Sequence, residues 1–113
     1  MMLEFQFDEN KVMKANYKLE SCYECLDEFI LQGNGMKKIS EGVYQGQGQL
    51  AFETVMNSIH VLKNKDWFLR TIGAWYCRED GDEIENRIDY LENLFILYPS
   101  KAKKYGITKS NPL

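Results

Sequence analysis

The sequence predicts an α+β domain built in the order β-α-β-β-α-β, with one further helix behind it. Three observations carry this. Apolar side chains alternate along Leu3, Phe5 and Phe7, the period of a half-buried strand. Two later stretches repeat apolar residues at helical spacing. The runs "MKKISEGVYQG" and "TIGAWYC" are rich in β-branched and aromatic residues.

Taken in order, the first strand ends where the chain turns acidic at Asp8-Glu9. Asn16 is placed to cap the first helix, whose Leu19, Cys22, Tyr23, Leu26, Phe29 and Ile30 share one face. Gly33 to Gly35, "GNG", ends it. Ile39, Val43 and Tyr44 flank Glu41-Gly42 and predict two short strands around a tight turn. "GQGQ" is a connector that lacks the lysine and third glycine of a phosphate loop. Leu50 to Leu62 is a second amphipathic helix, with Phe52, Val55, Met56, Ile59 and Leu62 facing inward. "NKDWF" is a loop whose Trp67-Phe68 plugs the core, and Thr71 to Cys77 is the fourth strand. "REDGDE" is a solvated loop. A third helix is expected over Glu83 to Tyr98, stopped by Pro99. This order is that of a ferredoxin-like sandwich, a four-stranded antiparallel sheet with two helices on one face. Residues 1–98 form that single domain with its added helix, and 99–113 form a polar, lysine-containing tail.

A chain of 113 residues, 44% apolar, can bury a core without staples. No apolar run approaches the roughly 20 residues of a membrane span. No basic region followed by an apolar stretch opens the chain, and three cysteines fit reduced thiols. A cytoplasmic protein with no membrane partner is expected. The net charge of −3 gives no general attraction to phosphate backbones. It is uneven, however: four of the 14 Lys and Arg follow Pro99, where there is no acid.

Few residues are placed for chemistry. "CYEC" at Cys22 to Cys25 lies mid-helix and in register with the apolar face, which fits a core cysteine better than a zinc or redox pair. His60 has no nucleophile near it in sequence. Lys37, Lys38 and the tail lysines suit either phosphate contact or solubility. Asp8 has two readings: a residue that closes a strand and opens a loop, or a carboxylate that holds a metal. Magnesium wants several oxygen ligands, so one carboxylate is a poor site. Two copies of Asp8 facing each other across a dimer axis would be a better one.

Three stretches, taken together, resemble the virulence-associated protein D (VapD) family. They are Phe7-Asp8, "GMKKISEGVY" and "LKNKDWFLRTIG", and the similarity spans roughly residues 2–78. That family shares a ferredoxin-like fold with the small nuclease subunit of CRISPR adaptation complexes. The resemblance implies a dimeric endoribonuclease, often the toxin of a toxin–antitoxin pair, whose catalytic aspartate matches Asp8. Val43-Tyr44 corresponds to the family's "SVY" strand with Gly42 in place of serine, and Trp67-Phe68 to its Trp-Phe pair. The expectation is metal-assisted RNA cleavage by a homodimer. Asp8 would hold a divalent cation, magnesium by its chemistry, and Lys37, Lys38 and Tyr44 would contact RNA by charge and stacking. Two departures stand out. Gly73 and Ala74 replace the arginine and aspartate of the family's "SVRDIRAF" strand, and "SEG" replaces "QGS". The lost Arg-Asp pair and the acidic body favour an alternative, a catalytically silent ferredoxin-like module that binds a protein partner.

Overall fold

The computed structural model describes residues 1–32, 35–49 and 51–113. It is an α+β molecule with one five-stranded antiparallel sheet in the order β2-β3-β1-β4-β5. Strand β1 (Met2–Phe7) is central. Its alternation is realised as expected: Leu3, Phe5 and Phe7 are buried while Gln6 is exposed. On one side it pairs with β3 (Val43–Gly46), Leu3 opposite Tyr44. On the other it pairs with β4 (Ile72–Arg78), Phe5 opposite Trp75. β2 (Met36–Ser40) borders β3, and Gly42 makes the turn between them at φ +75°. A Cβ at Gly42 would lie 2.4 Å from the Phe5 carbonyl, so only glycine lets the turn approach β1 this closely.

The sheet's inner face carries an aromatic cluster. Phe68 packs edge-on to Phe5 at 5.9 Å, to Phe7 at 6.2 Å and to Trp75 at 5.0 Å. Such pairs each contribute about 0.5–1.5 kcal/mol beyond the area they bury. Helix α2 (Leu19–Ile30) turns Cys22, Leu26 and Ile30 inward, and Tyr23 lies across Phe7 at 4.9 Å. Helix α3 (Ala51–Leu62) buries Val55, Ser58, Ile59 and Leu62. Phe52 and Met56, expected inward, are exposed. Trp67-Phe68 lies in a short helix α4 (Asp66–Thr71) rather than a loop, with Phe68 fully enclosed. Gly33, Asn34 and Leu50 fall outside the described residues, so the expected end of the first helix at Gly33 and start of the second at Leu50 are not assessed.

Two elements differ from expectation near the N-terminus. Asp8 opens a one-turn-and-a-half helix α1 (Glu9–Lys14). Asn16, with φ 62°, turns the chain out of α1 rather than capping α2, whose cap position is Lys18 without a side-chain bond. The C-terminal region differs more. In place of one helix over Glu83 to Tyr98 there is a single 3-10 turn at Ile84–Asn86, a two-residue strand β5 (Ile88–Asp89) and helix α5 (Tyr90–Leu97). Asp89 caps α5, its carboxylate accepting from the Leu91 and Glu92 amides. Pro99 starts the next helix, α6 (Pro99–Tyr105), instead of merely ending one. The tail is not loosely held: Ala102, Ile107 and Ser110 are buried.

Tyr23 of α2, Phe68 of α4 and Tyr90 of α5 all pack on the sheet face that carries Phe7, Phe5 and Trp75. The opposite face is polar. There Glu4 pairs with Arg78 at 2.9 Å and Arg87 stacks on Tyr76 at 3.7 Å. The added helix therefore does not cover it. The tail reaches that side too, where the Tyr76 hydroxyl donates to the Asn111 carbonyl at 2.9 Å. Among the described residues no helix is long and apolar enough to cross a membrane.

Candidate functional site

Asp8 is fixed by backbone bonds on both sides. Its N–H donates to the Thr71 carbonyl at 2.9 Å, continuing the sheet, and its carbonyl accepts from Val12 at 2.9 Å, starting α1. The side chain caps that helix, Oδ1 accepting from the Lys11 amide at 3.1 Å. Oδ2 has no hydrogen-bond partner among the described residues. Strand end and helix start together place one carboxylate oxygen at the lip of the sheet, half-buried.

Gly73 shapes the surroundings. The β1–β4 register jumps from Gln6 opposite Ala74 to Phe7 opposite Ile72, which leaves Gly73 bulged and without a partner on β1. A Cβ there would lie 3.1 Å from the Asp8 Cβ and 3.0 Å from the Asn111 amide nitrogen. The Asn111 N–H donates to the Gly73 carbonyl at 2.8 Å. The C-terminal segment thus packs directly against the bulge at Gly73. The result is a depression of about 190 Å³ bordered by Asp8, Lys11, Gly73, Leu91, Lys109 and Asn111. The Lys11 ammonium donates to the Ile72 carbonyl at 3.3 Å. Burial holds its pKa below the ordinary lysine value, and the Asp8 carboxylate pulls the other way.

The chemistry available is that of one carboxylate oxygen with two lysines bordering the same depression. Such a set neutralises an anion and accepts a proton. It does not fit a resident divalent cation within one chain. Among the described residues no three His, Cys, Asp or Glu side chains cluster, and a lysine beside Asp8 opposes a second positive charge. Cys22 and Cys77 are buried free thiols and Cys25 is exposed. Burial, with Cys25 nearby, pushes the Cys22 thiol pKa up, as expected of a core residue rather than a nucleophile.

The other expected site residues lie elsewhere. Lys38 is bound to Asp27 of α2 at 2.6 Å. Tyr44 is wholly buried, its ring edge-on to Phe5 and its hydroxyl bonded to the same Asp27. It offers no ring face for a base to stack on, so Tyr44 is a core residue and the stacking role is withdrawn. Lys38 has its charge committed for the same reason: α2 brings an acid across the β2–β3 edge. Lys37, one residue out of phase, is exposed opposite Gln45. None of the three borders the Asp8 depression. Lys11 and Lys109 do, and neither stands out in the sequence: Lys11 sits in a helix too short to show periodicity, and Lys109 reaches Asp8 only through the folded tail.

No protein-family model matches this chain at significance, nor does any curated protein or solved structure.

Proposed function

We propose that this chain is a VapD-like endoribonuclease that cleaves RNA at Asp8 and works as a homodimer. The observation that carries the reading is the placement of Asp8. Its backbone is held at the end of the central strand by Thr71 and Val12, one carboxylate oxygen is uncommitted, and Lys11 and Lys109 share its depression. The β2-β3-β1-β4 order, with α2 and α3 packed on one face, supports the ferredoxin-like arrangement that the family shares. In RNA the 2′-hydroxyl is a built-in nucleophile. The free Asp8 oxygen is suited to take its proton as the 2′-oxygen attacks phosphorus; the P–O5′ bond breaks, and the 5′-oxygen takes a proton from water, giving a 2′,3′-cyclic phosphate and a 5′-hydroxyl. The two ammonium groups would offset charge on the phosphoryl oxygens. A divalent cation enters this reading only if a dimer brings two Asp8 carboxylates together, and no step above depends on one.

The test is cleavage of several RNAs by the purified protein, with magnesium and with chelator, alongside sedimentation to fix its mass. Cleavage by a species of twice 13.3 kDa is expected. No cleavage of any RNA under either condition would overturn the reading. Magnesium dependence would bring the shared cation into it.

A second reading, a silent interaction module serving an antitoxin or other protein partner, is favoured by one specific feature. Phe95, Ile96 and Leu97 of α5 form an exposed apolar run. A stoichiometric partner together with inactivity on RNA would select it.

A further inference from the structure

Beside the Asp8 depression lies a second and larger one, of about 330 Å³, bordered by Lys11, Lys14, Arg70, Lys104, Tyr105 and Gly106. Lys11 and Gly106 belong to both walls, so the two depressions adjoin. We propose that together they form one groove, the path of a single-stranded RNA backbone leading to Asp8, which names the substrate contacts of the nuclease reading above and rests on it.

The charge distribution argues for this. The molecule is acidic overall, at −3, yet this groove gathers three lysines and an arginine, with Lys109 at its Asp8 end. They come from three separate elements, α1, α4 and α6, whose last turns converge. Cations are favoured at helix ends by the helix dipole, which would explain each singly. It does not explain why they meet, nor why two of the four, Lys14 and Lys104, are left without an acid partner among the described residues. Among the described residues only Arg70 has an acid partner, Asp66 of its own helix at 2.6 Å. Lys14 and Lys104 have neither an ion pair nor a carbonyl to donate to. Tyr105 adds an aromatic surface. Its hydroxyl donates to Asp66 at 2.7 Å and the Lys104 ammonium lies 5.3 Å from its ring centre, so ring and cation form one joint surface. Ammonium groups along a groove with an aromatic ring in its wall are what a sequence-tolerant single strand requires: charge for the phosphates, a π-face for a base.

The test separates binding from cutting. Binding of a fluorescent oligouridylate is measured by anisotropy across a salt series, using Asp8→Asn protein so that nothing is cleaved. Lys14→Glu with Lys104→Glu should weaken binding at least tenfold at low salt. It should also flatten the log–log salt slope by about 1.4, the loss of two phosphate contacts on a single strand. The milder pair, Lys14→Gln with Lys104→Gln, should give an intermediate loss, which guards against misfolding of the charge reversal. The inference is overturned if both double variants bind like the parent, if Lys37→Glu weakens binding more than either pair, or if the Asp8→Asn protein shows no salt-dependent binding. RNA cut at the parental rate by the charge-reversed pair in the Asp8 background would sink the groove and leave the nuclease standing. Groove-dependent binding by a protein that never cleaves would do the reverse.

Discussion

Asp8 caps a helix and is also the proposed catalytic group, and a substitution has to separate the two roles. As the cap of α1 its carboxylate satisfies the Lys11 amide. Alanine there should cost about 1 kcal/mol of stability, whereas asparagine caps as well as aspartate does. Asparagine is therefore the variant that removes the ionisable oxygen and keeps the helix. The sequence placed Asp8 after a strand and left open what followed. A cap is legible only when the helix it opens is legible, and α1 has a single buried residue, Val12. Tyr44 failed as a binding residue for a related reason: an aromatic in an alternating strand has two faces to choose from, and Asp27 on a distant helix decides which. Tyr90 gives a test at the same scale. Burial and the neighbouring Cys77 push its phenol from 10.0 up to about 12. A proton held longer in the fold than in the unfolded chain stabilises fully below pH 10 and is lost as the pH climbs towards 12. Urea midpoints should therefore fall across that window, with a Tyr90 share of at most about 1.4 kcal/mol per pH unit. The fall should be shallower in Tyr90→Phe. Parallel curves for the two proteins would contradict the assignment.

Among the elements, those that the hydrophobic period could reveal were revealed: β1, α2, the β2–β3 hairpin, the body of α3, and β4. What hid the rest was chemistry that acts between elements. Ile84, Ile88, Leu91 and Phe95 keep a helical spacing, yet Asp89 breaks the run by capping α5, and the residues before it pair with β4 instead. β5 is too short to cover all of β4. The Trp75 N–H left exposed by it donates to the Ser110 hydroxyl at 2.9 Å, and that hydroxyl lies 2.5 Å from Asp89 Oδ1. A polar tail thus becomes a buried clasp that no local pattern announces. Ser110→Ala leaves the Trp75 amide without its partner in a buried position and should cost about 1–3 kcal/mol. Hydrogen exchange at Trp75 and Asn111 should quicken more than exchange at Phe5. Unchanged protection at all three would mean that the tail is held by packing alone. Gly73 belongs to the same clasp, since any side chain there would press on Asn111 and Asp8 together.

At the scale of the whole molecule, charge and shape pull in one direction. The acids dominate the count, but Lys11, Lys14, Arg70, Lys104 and Lys109 border two adjoining depressions, one of which also holds Asp8. Linear sequence spreads these residues across three helices and a tail, so only the fold assembles them. Gly73 leaves room for the C-terminal segment, since a Cβ there would lie 3.0 Å from the Asn111 side chain, and that segment brings Lys109 to the depression that holds Asp8. The helix-free sheet face carries the Glu4–Arg78 pair and the exposed Gln6.

All of the chemistry proposed here runs through one oxygen atom at the end of the central strand. The direct measurement is the rate of RNA cleavage by Asp8→Asn protein, purified in parallel with the parent and matched to it in melting temperature and sedimenting mass. A rate at least a hundredfold lower, with those two properties unchanged, is the predicted result. Cleavage at the parental rate by the equally folded variant would contradict it.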